Sequence, residues 1–224
     1  MSVTATTLLL LLYPLLNVLP LNVVRFYWGF GKGLTPMPPE VRAKAEATDR
    51  TVQFLIYLTL LTVAAFFLRS SAIPPDVVGL NTRGWKGSLA LGMLVSFLGW
   101  VLAATFQTER NADTPNTKPS GNLLAIRSGL AVIGSIAVEV WRALCIAALI
   151  RLDCPPWIAV LITAVPYGAP QLLASTATAA GAATSGAVLG FLFVATGSLV
   201  APLTVGFTTA LFQVFLSGRR SLSL

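Results

Sequence analysis

The chain has 224 residues, of which 55% are hydrophobic and 10% charged, whereas soluble domains carry roughly 25% charged residues. Its mean hydropathy of +0.80 therefore predicts a polytopic helical membrane protein. The net charge of +7 comes from basic residues in short loops beside apolar runs, a topology signal of membrane proteins, so we expect no nucleic-acid partner.

Apolar runs long enough to cross a hydrocarbon core recur along the chain and predict an all-α transmembrane bundle of about seven spans. The first run contains Pro14 and Pro20, so it is either a kinked helix or an interfacial segment, which would leave six spans. A short charged surface helix, leading into the second run, is expected over residues 40–50. The predicted spans are residues 5–24, 52–68, 87–106, 128–150, 157–173, 183–196 and 199–217.

The polar stretch 107–122 predicts an exposed loop and is the best candidate for disorder. It separates an N-terminal three-span region, residues 1–122, from a C-terminal four-helix region, residues 123–224. Lysine and arginine are concentrated in the first and third connections and in the C-terminal tail. This distribution predicts an inner or cytoplasmic-type membrane, with the N-terminus outside and the C-terminus in the cytoplasm.

The fourth run is the one predicted span with an interior charge pair, Glu139 and Arg142. These residues are three apart, so they share a helix face and can pair there, which favours a structural role. Intramembrane charges are otherwise candidates for function. The sequence has no histidine, and Cys145 and Cys154 lack a metal-site spacing, so we expect no metal site and no histidine-ligated cofactor.

Residues 186–209 read as two apolar segments joined by a tight turn at residues 196–198. The two glycines of a GxxxG pattern lie four apart on one face of the first segment and allow another helix to approach closely. A serine in the turn can cap the second helix, and a proline falls in its first turn. The residues predicted to determine this packing are Gly186, Gly190, Gly197, Ser198 and Pro202.

This run, GAVLGFLFVATGSLVAPLTVG over residues 186–206, resembles the last conserved region of the CPBP membrane proteins, the CAAX-prenyl-endopeptidase and bacteriocin-processing family. In that family a similar run, GxxxGxxxxxTGSLxAPxxxH, places a histidine about eight residues past the serine. The corresponding residue here is Gly206. The resemblance covers roughly residues 123–213 and implies a CPBP-like helical core.

Two further family motifs are altered at the positions that the resemblance assigns to catalysis. If Arg142 matches the arginine of EExxxR, the two glutamate positions are Ala137 and Val138, and Glu139 comes one residue late. The FxxxH motif corresponds to Tyr167 and Gln171. In the family a glutamate activates water and histidines position it, so the resemblance implies a pseudo-protease whose vestigial positions are not catalytic.

The favoured hypothesis is a catalytically inactive CPBP-like accessory subunit of a larger membrane complex, for example a photosynthetic or respiratory one. Its partners would be other integral membrane subunits and membrane lipids. The sequence implies no cofactor, although a lipid or pigment could bind at an interface without histidine ligation. The alternatives are a divergent intramembrane protease or CAAX-type endopeptidase, with Glu139 as base and Gln171 as oxyanion donor, and a small transporter or immunity-type membrane protein.

Overall fold

A computed structural model describes residues 38–69, 74, 76–79, 84–107, 121–168 and 176–219, with the isolated positions 12, 20 and 23. All regular secondary structure in this part of the chain is α-helical. The first predicted run, residues 5–24, and almost all of the predicted polar loop, residues 107–122, lie outside the described residues.

The described part of the chain forms six helices, which confirms the prediction of an all-helical fold for these residues. They are α1 (Pro39–Arg69), α2 (Trp85–Gln107), α3 (Gly121–Ile150), α4 (Pro156–Gly168), α5 (Thr176–Thr196) and α6 (Val200–Arg219).

Three of these helices contain a segment that is long and apolar enough to cross a membrane. The segments are Ala43–Arg69 in α1, Ser128–Ile150 in α3 and Ala179–Thr196 in α5. The apolar segments of α2, α4 and α6 are shorter. The chain therefore carries three membrane-capable helices within its described residues.

The charged segment 40–50 is helical as predicted, and it runs without a break into the second apolar run as the 31-residue α1. Pro39 starts the helix where a missing N–H costs little, and Glu40 lies in the first turn, where the helix dipole favours an acidic side chain. No glycine or proline follows before Arg69 to end the helix. The charged residues of α1 show where the helix extends beyond its apolar segment, and they do not end the helix.

The start of α5 differs from the sequence-based expectation. The sixth span is predicted from about residue 183, but α5 already begins at Thr176, because alanine is the strongest helix former. Pro166 lies within the predicted fifth span, and α4 continues past it to Gly168. Pro166 lies near the last residue described for α4, and there neighbouring elements can compensate for the hydrogen bond that proline removes.

The centre of the bundle is α3, which packs against α1, α4, α5 and α6. In its most apolar 18-residue window 67% of the residues are buried, compared with 17% in the corresponding window of α1 and 33% in that of α5. Leu144 and Ile146 of α3 are fully buried. The helix with the interior charge pair is thus the one that the other helices enclose.

Candidate functional site

The interior charges of α3 form a buried ion pair. Nη1 of Arg142 donates to Oε2 of Glu139 at 2.5 Å, and the two side chains are only 4% and 3% exposed. Glu139 is the middle residue of the segment Ser128–Ile150. A carboxylate and a guanidinium at this depth compensate each other's charge where water is scarce.

Gly206 of α6 lies against this charged part of α3. A Cβ atom built on Gly206 would overlap Oγ of Ser135 and lie 3.9 Å from Cγ of Glu139. The glycine therefore lets the α6 backbone come close to Ser135 and Glu139, and a larger residue there would require Ser135 to move.

The structure thus brings together three of the sequence-predicted positions, Glu139, Arg142 and Gly206. Ser135, which the sequence reasoning did not single out, lies one helical turn before Glu139 and on the same face of α3. A hydroxyl at that spacing from an interior charge is the signal that could have identified it.

The remaining vestigial positions are less informative. Ala137 is fully buried in α3 and Val138 is half-buried beside it. The backbone of Tyr167 belongs to α4, and Gln171 lies outside the described residues. The geometry of a Tyr167–Gln171 motif therefore adds nothing to the site.

Glu139 and Arg142 are the only charged residues between positions 128 and 150. Cys145 is buried one turn after Arg142, and neither Cys145 nor Cys154 forms a disulfide bond. Among the described residues no group of three or more histidine, cysteine, aspartate or glutamate side chains could hold a metal ion. The carboxylate of this site, that of Glu139, already forms an ion pair with the Arg142 guanidinium.

The turn between α5 and α6 is built from the residues of the TGS sequence. Gly197 has a φ of +60°, and its N–H donates to the carbonyl of Phe193 at 2.8 Å, which ends α5. The N–H of Val200 donates to Oγ of Ser198 at 3.2 Å and so caps α6. Pro202, in the first turn of α6, is fully buried.

The loop that follows α1 covers this turn. Gly79 has a φ of +70°, and a Cβ on it would lie 2.6 Å from Cα of Ser198. The N–H of Leu199 donates to the Gly79 carbonyl at 3.3 Å, and the neighbouring Val78 is completely buried. This contact joins the N-terminal and C-terminal halves of the chain, and the sequence pattern did not reveal it.

The GxxxG face of α5 is occupied within the chain itself. A Cβ on Gly190 would lie 2.9 Å from Cγ1 of Val160 in α4 and 3.4 Å from Cδ1 of Ile146 in α3. Gly186, one turn earlier, is also buried. Gly190 therefore serves the packing of α5 on α3 and α4, as small residues do between membrane helices.

The part of the chain that the structure describes is all-helical, and three of its helices are long and apolar enough to cross a membrane. No protein-family model, curated protein or solved structure matches the chain. The resemblance to the CPBP proteins consequently depends on the motif residues alone and stays a prediction.

Proposed function

We propose that this chain is a catalytically inactive, CPBP-like integral membrane protein that acts as a structural or accessory subunit of a larger membrane complex. The observation that carries the proposal is the closed ion pair of Glu139 and Arg142, with Gly206 packed beside it. In a working protease of the resembled family, this region would hold a free carboxylate and a histidine.

The chemistry of general bases supports the proposed inactivity. A base must reach a water molecule by a hydrogen bond and must accept its proton near neutral pH. The Glu139 carboxylate is engaged with Arg142 and enclosed by neighbouring helices, and Gly206 has no side chain. The chain has no histidine that could act as a general base in their place.

The role as a subunit is supported by the outer surfaces of α1 and α2. Large apolar side chains point outward from both helices, including Leu58 and Phe66 on α1 and Phe97 and Leu98 on α2. Such a surface suits acyl chains and also the side chains of neighbouring membrane subunits. Energy-converting complexes of photosynthesis or respiration are the candidate hosts.

The proposed topology has seven spans, or six if the first run is interfacial. It assigns crossings to α2, α4 and α6 as well as to the three longer helices. The N-terminus would face outside and the C-terminus the cytoplasm of an inner or cytoplasmic-type membrane, because lysine and arginine accumulate on the side assigned to the cytoplasm.

The test is extraction of native membranes in mild detergent, followed by native gel separation and detection of this chain. We expect the chain to migrate with a complex much larger than its 23.6 kDa. Migration as a single chain with bound detergent would contradict the proposal. Replacing Phe97 and Leu98 by alanine, with Leu55 and Leu58 on α1 as the matched control pair, would then show which outer face holds the partner.

The divergent-protease alternative has a separate test with Glu139→Gln. Inactivity predicts that neither the purified wild-type protein nor the variant cleaves membrane-embedded or prenylated peptides. Cleavage by the wild type that Glu139→Gln abolishes at unchanged thermal stability would replace our proposal with the protease.

A further inference from the structure

Two exposed tryptophans lie at the starts of helices on the outside of the bundle. Trp85 is the first residue of α2 and is 44% exposed, and Trp157 is the second residue of α4 and is 58% exposed. By contrast, Trp141 of α3 is only 5% exposed and belongs to the core. What the two exposed rings contact depends on where they lie along the bundle.

Trp157 lies level with the end of α3. A short connection joins Ile150, the last residue of α3, to the start of α4. Val160 of α4 and Ile146 of α3 are level with each other, because both lie within 3.4 Å of a Cβ built on Gly190. Trp157 is three residues before Val160, about 4–5 Å nearer to the end at which α3 stops.

Helices α5 and α6 meet at this same end. A Cβ on Gly168, the last described residue of α4, would lie 2.6 Å from the carbonyl of Ala179 near the start of α5. Because Val160 near the start of α4 meets Gly190 near the end of α5, the two helices run in opposite directions. The end of α5 therefore lies beside the start of α4, and the tight turn that follows makes α6 begin there.

Trp85 also lies at this end, because α2 and α6 run in the same direction. A Cβ on Gly92 would lie 2.9 Å from Cβ of Thr204, and one turn later in both helices Oγ1 of Thr208 is 2.6 Å from Oγ of Ser96. Trp85 is seven residues, about 10 Å, before Gly92 and so lies toward the start of both helices. The two exposed tryptophans thus mark one end of the bundle.

The exposed surface changes from charged to apolar at the level of these tryptophans. Beyond the end of α3, the exposed residues Arg151 and Asp153 are charged. Nζ of Lys86 lies over the Trp85 ring, 6.0 Å from its centroid, and so stays near the start of α2. In the other direction the large exposed side chains of α2 and α4 are apolar, and they include Leu89, Met93, Phe97, Leu161 and Val165.

We propose that this end of the bundle is seated in the headgroup layer of a phospholipid membrane. Trp85 and Trp157 lie where the headgroups meet the acyl chains, a boundary at which tryptophan is enriched because its ring is apolar and its N–H is polar. The Lys86 ammonium reaches the phosphates while its stem lies along apolar surface. The proposal rests on the integral-membrane part of the proposed function and does not need the subunit role.

This seating also gives the depth of the buried ion pair. Glu139 is eleven residues before Ile150, about 16 Å along α3. The hydrocarbon core of a membrane is roughly 30 Å thick, so the pair of Glu139 and Arg142 lies near its centre. At this depth the two charges are compensated by each other and not by headgroups or water.

The experiment places the purified full-length chain in phosphatidylcholine vesicles, at a low ratio of protein to lipid, and measures tryptophan fluorescence. One set of vesicles contains lipids with bromine near the headgroup, and the other contains lipids with bromine near the ends of the acyl chains. Bromine quenches only the tryptophans that it approaches closely. We expect the shallow bromine to quench Trp85 and Trp157 and the deep bromine to leave them largely unquenched.

Three variants assign the quenching to residues. Trp85→Phe and Trp157→Phe should each lose part of the quenching by the shallow bromine and keep the quenching by the deep bromine. Phe97→Trp is the matched control, because Phe97 is 57% exposed on α2 and lies about 18 Å along the helix from Trp85. This variant should gain quenching by the deep bromine. All three positions are exposed, so these changes leave the packed core intact.

Each outcome has a defined meaning. Loss of shallow quenching in both Trp→Phe variants supports the proposal. Loss of deep quenching instead would place this end inside the hydrocarbon core, and unchanged quenching in both variants would place the rings in water or against protein. Either result overturns the seating, while a gain of deep quenching in Phe97→Trp would leave membrane insertion intact. No quenching in any variant would overturn the integral-membrane proposal as well.

Discussion

Helices α2 and α3 are both apolar, but the residues of α3 are mostly buried whereas many large residues of α2 are exposed. In α3 most of the membrane-capable segment is buried, although it contains Glu139 and Arg142. In α2 the bulky residues are exposed, among them Met93, Phe97 and Trp100. Apolarity therefore says little about which helix is central when the surroundings are lipid, because lipid is as apolar as leucine.

Small and polar residues indicate the packed faces instead. The face of α2 that packs on α6 carries Ser88 and Gly92, which are buried, and Ser96, which is half-buried, each four residues apart. A Cβ on Gly92 would lie 2.8 Å from the Ala201 carbonyl. On α3 the corresponding signals are Ser135 and the ion pair. Three predictions test this contrast between the central and the peripheral helix.

The largest effect is expected at the centre. Arg142→Met leaves the Glu139 carboxylate buried without its guanidinium and should cost about 3–5 kcal/mol of unfolding free energy. The double variant Glu139→Leu/Arg142→Met should recover most of this loss, because a buried ion pair can often be replaced by apolar residues at little cost. Unfolding in mixed denaturing micelles measures both. A double variant no more stable than Arg142→Met would contradict a purely structural pair.

A smaller effect is expected where α6 meets α3. Gly206→Ala forces Ser135 to move and should cost about 1–3 kcal/mol of unfolding free energy. Ser135→Ala, introduced with it, removes the overlapping hydroxyl and should restore part of the stability. The same unfolding assay measures these variants.

The control for Gly206→Ala lies on the peripheral helix. Apart from the adjacent residues and the nearby backbone of α2 itself, no described atom lies within 4 Å of a Cβ built on Gly99. Gly99→Ala should therefore be neutral, or more stable by up to about 1 kcal/mol through helix propensity. Equal losses for Gly99→Ala and Gly206→Ala would show that the contact with Ser135 is not the cause.

The sequence could predict the helices but not their neighbours. Apolar runs indicate where α2, α3 and α6 lie, because length and composition are local properties. The predicted sixth span begins near residue 183, whereas α5 begins at Thr176, because alanine favours a helix even among small polar residues. The charged segment 40–50 and the apolar run 52–68 form the single helix α1, since charge alone does not end a helix.

Contacts between distant residues were not predictable in the same way. The i, i+3 spacing of Glu139 and Arg142 predicts a pair within one helix, and the structure contains it. That Gly206 meets Ser135, or that Gly79 covers Ser198, depends on how helices are arranged around α3.

The smallest predicted effect lies between α2 and α6. Oγ1 of Thr208 and Oγ of Ser96 are 2.6 Å apart, and this hydrogen bond links the peripheral helix to the bundle. Hydrogen bonds between membrane helices contribute on average about 0.6 kcal/mol, so Ser96→Ala should lower the unfolding free energy by about that amount. A double-mutant cycle with Thr208→Val measures the coupling itself. A coupling as large as the loss in Arg142→Met would mean that α2 is as integral to the fold as α3, and the contrast between central and peripheral helices would then be wrong.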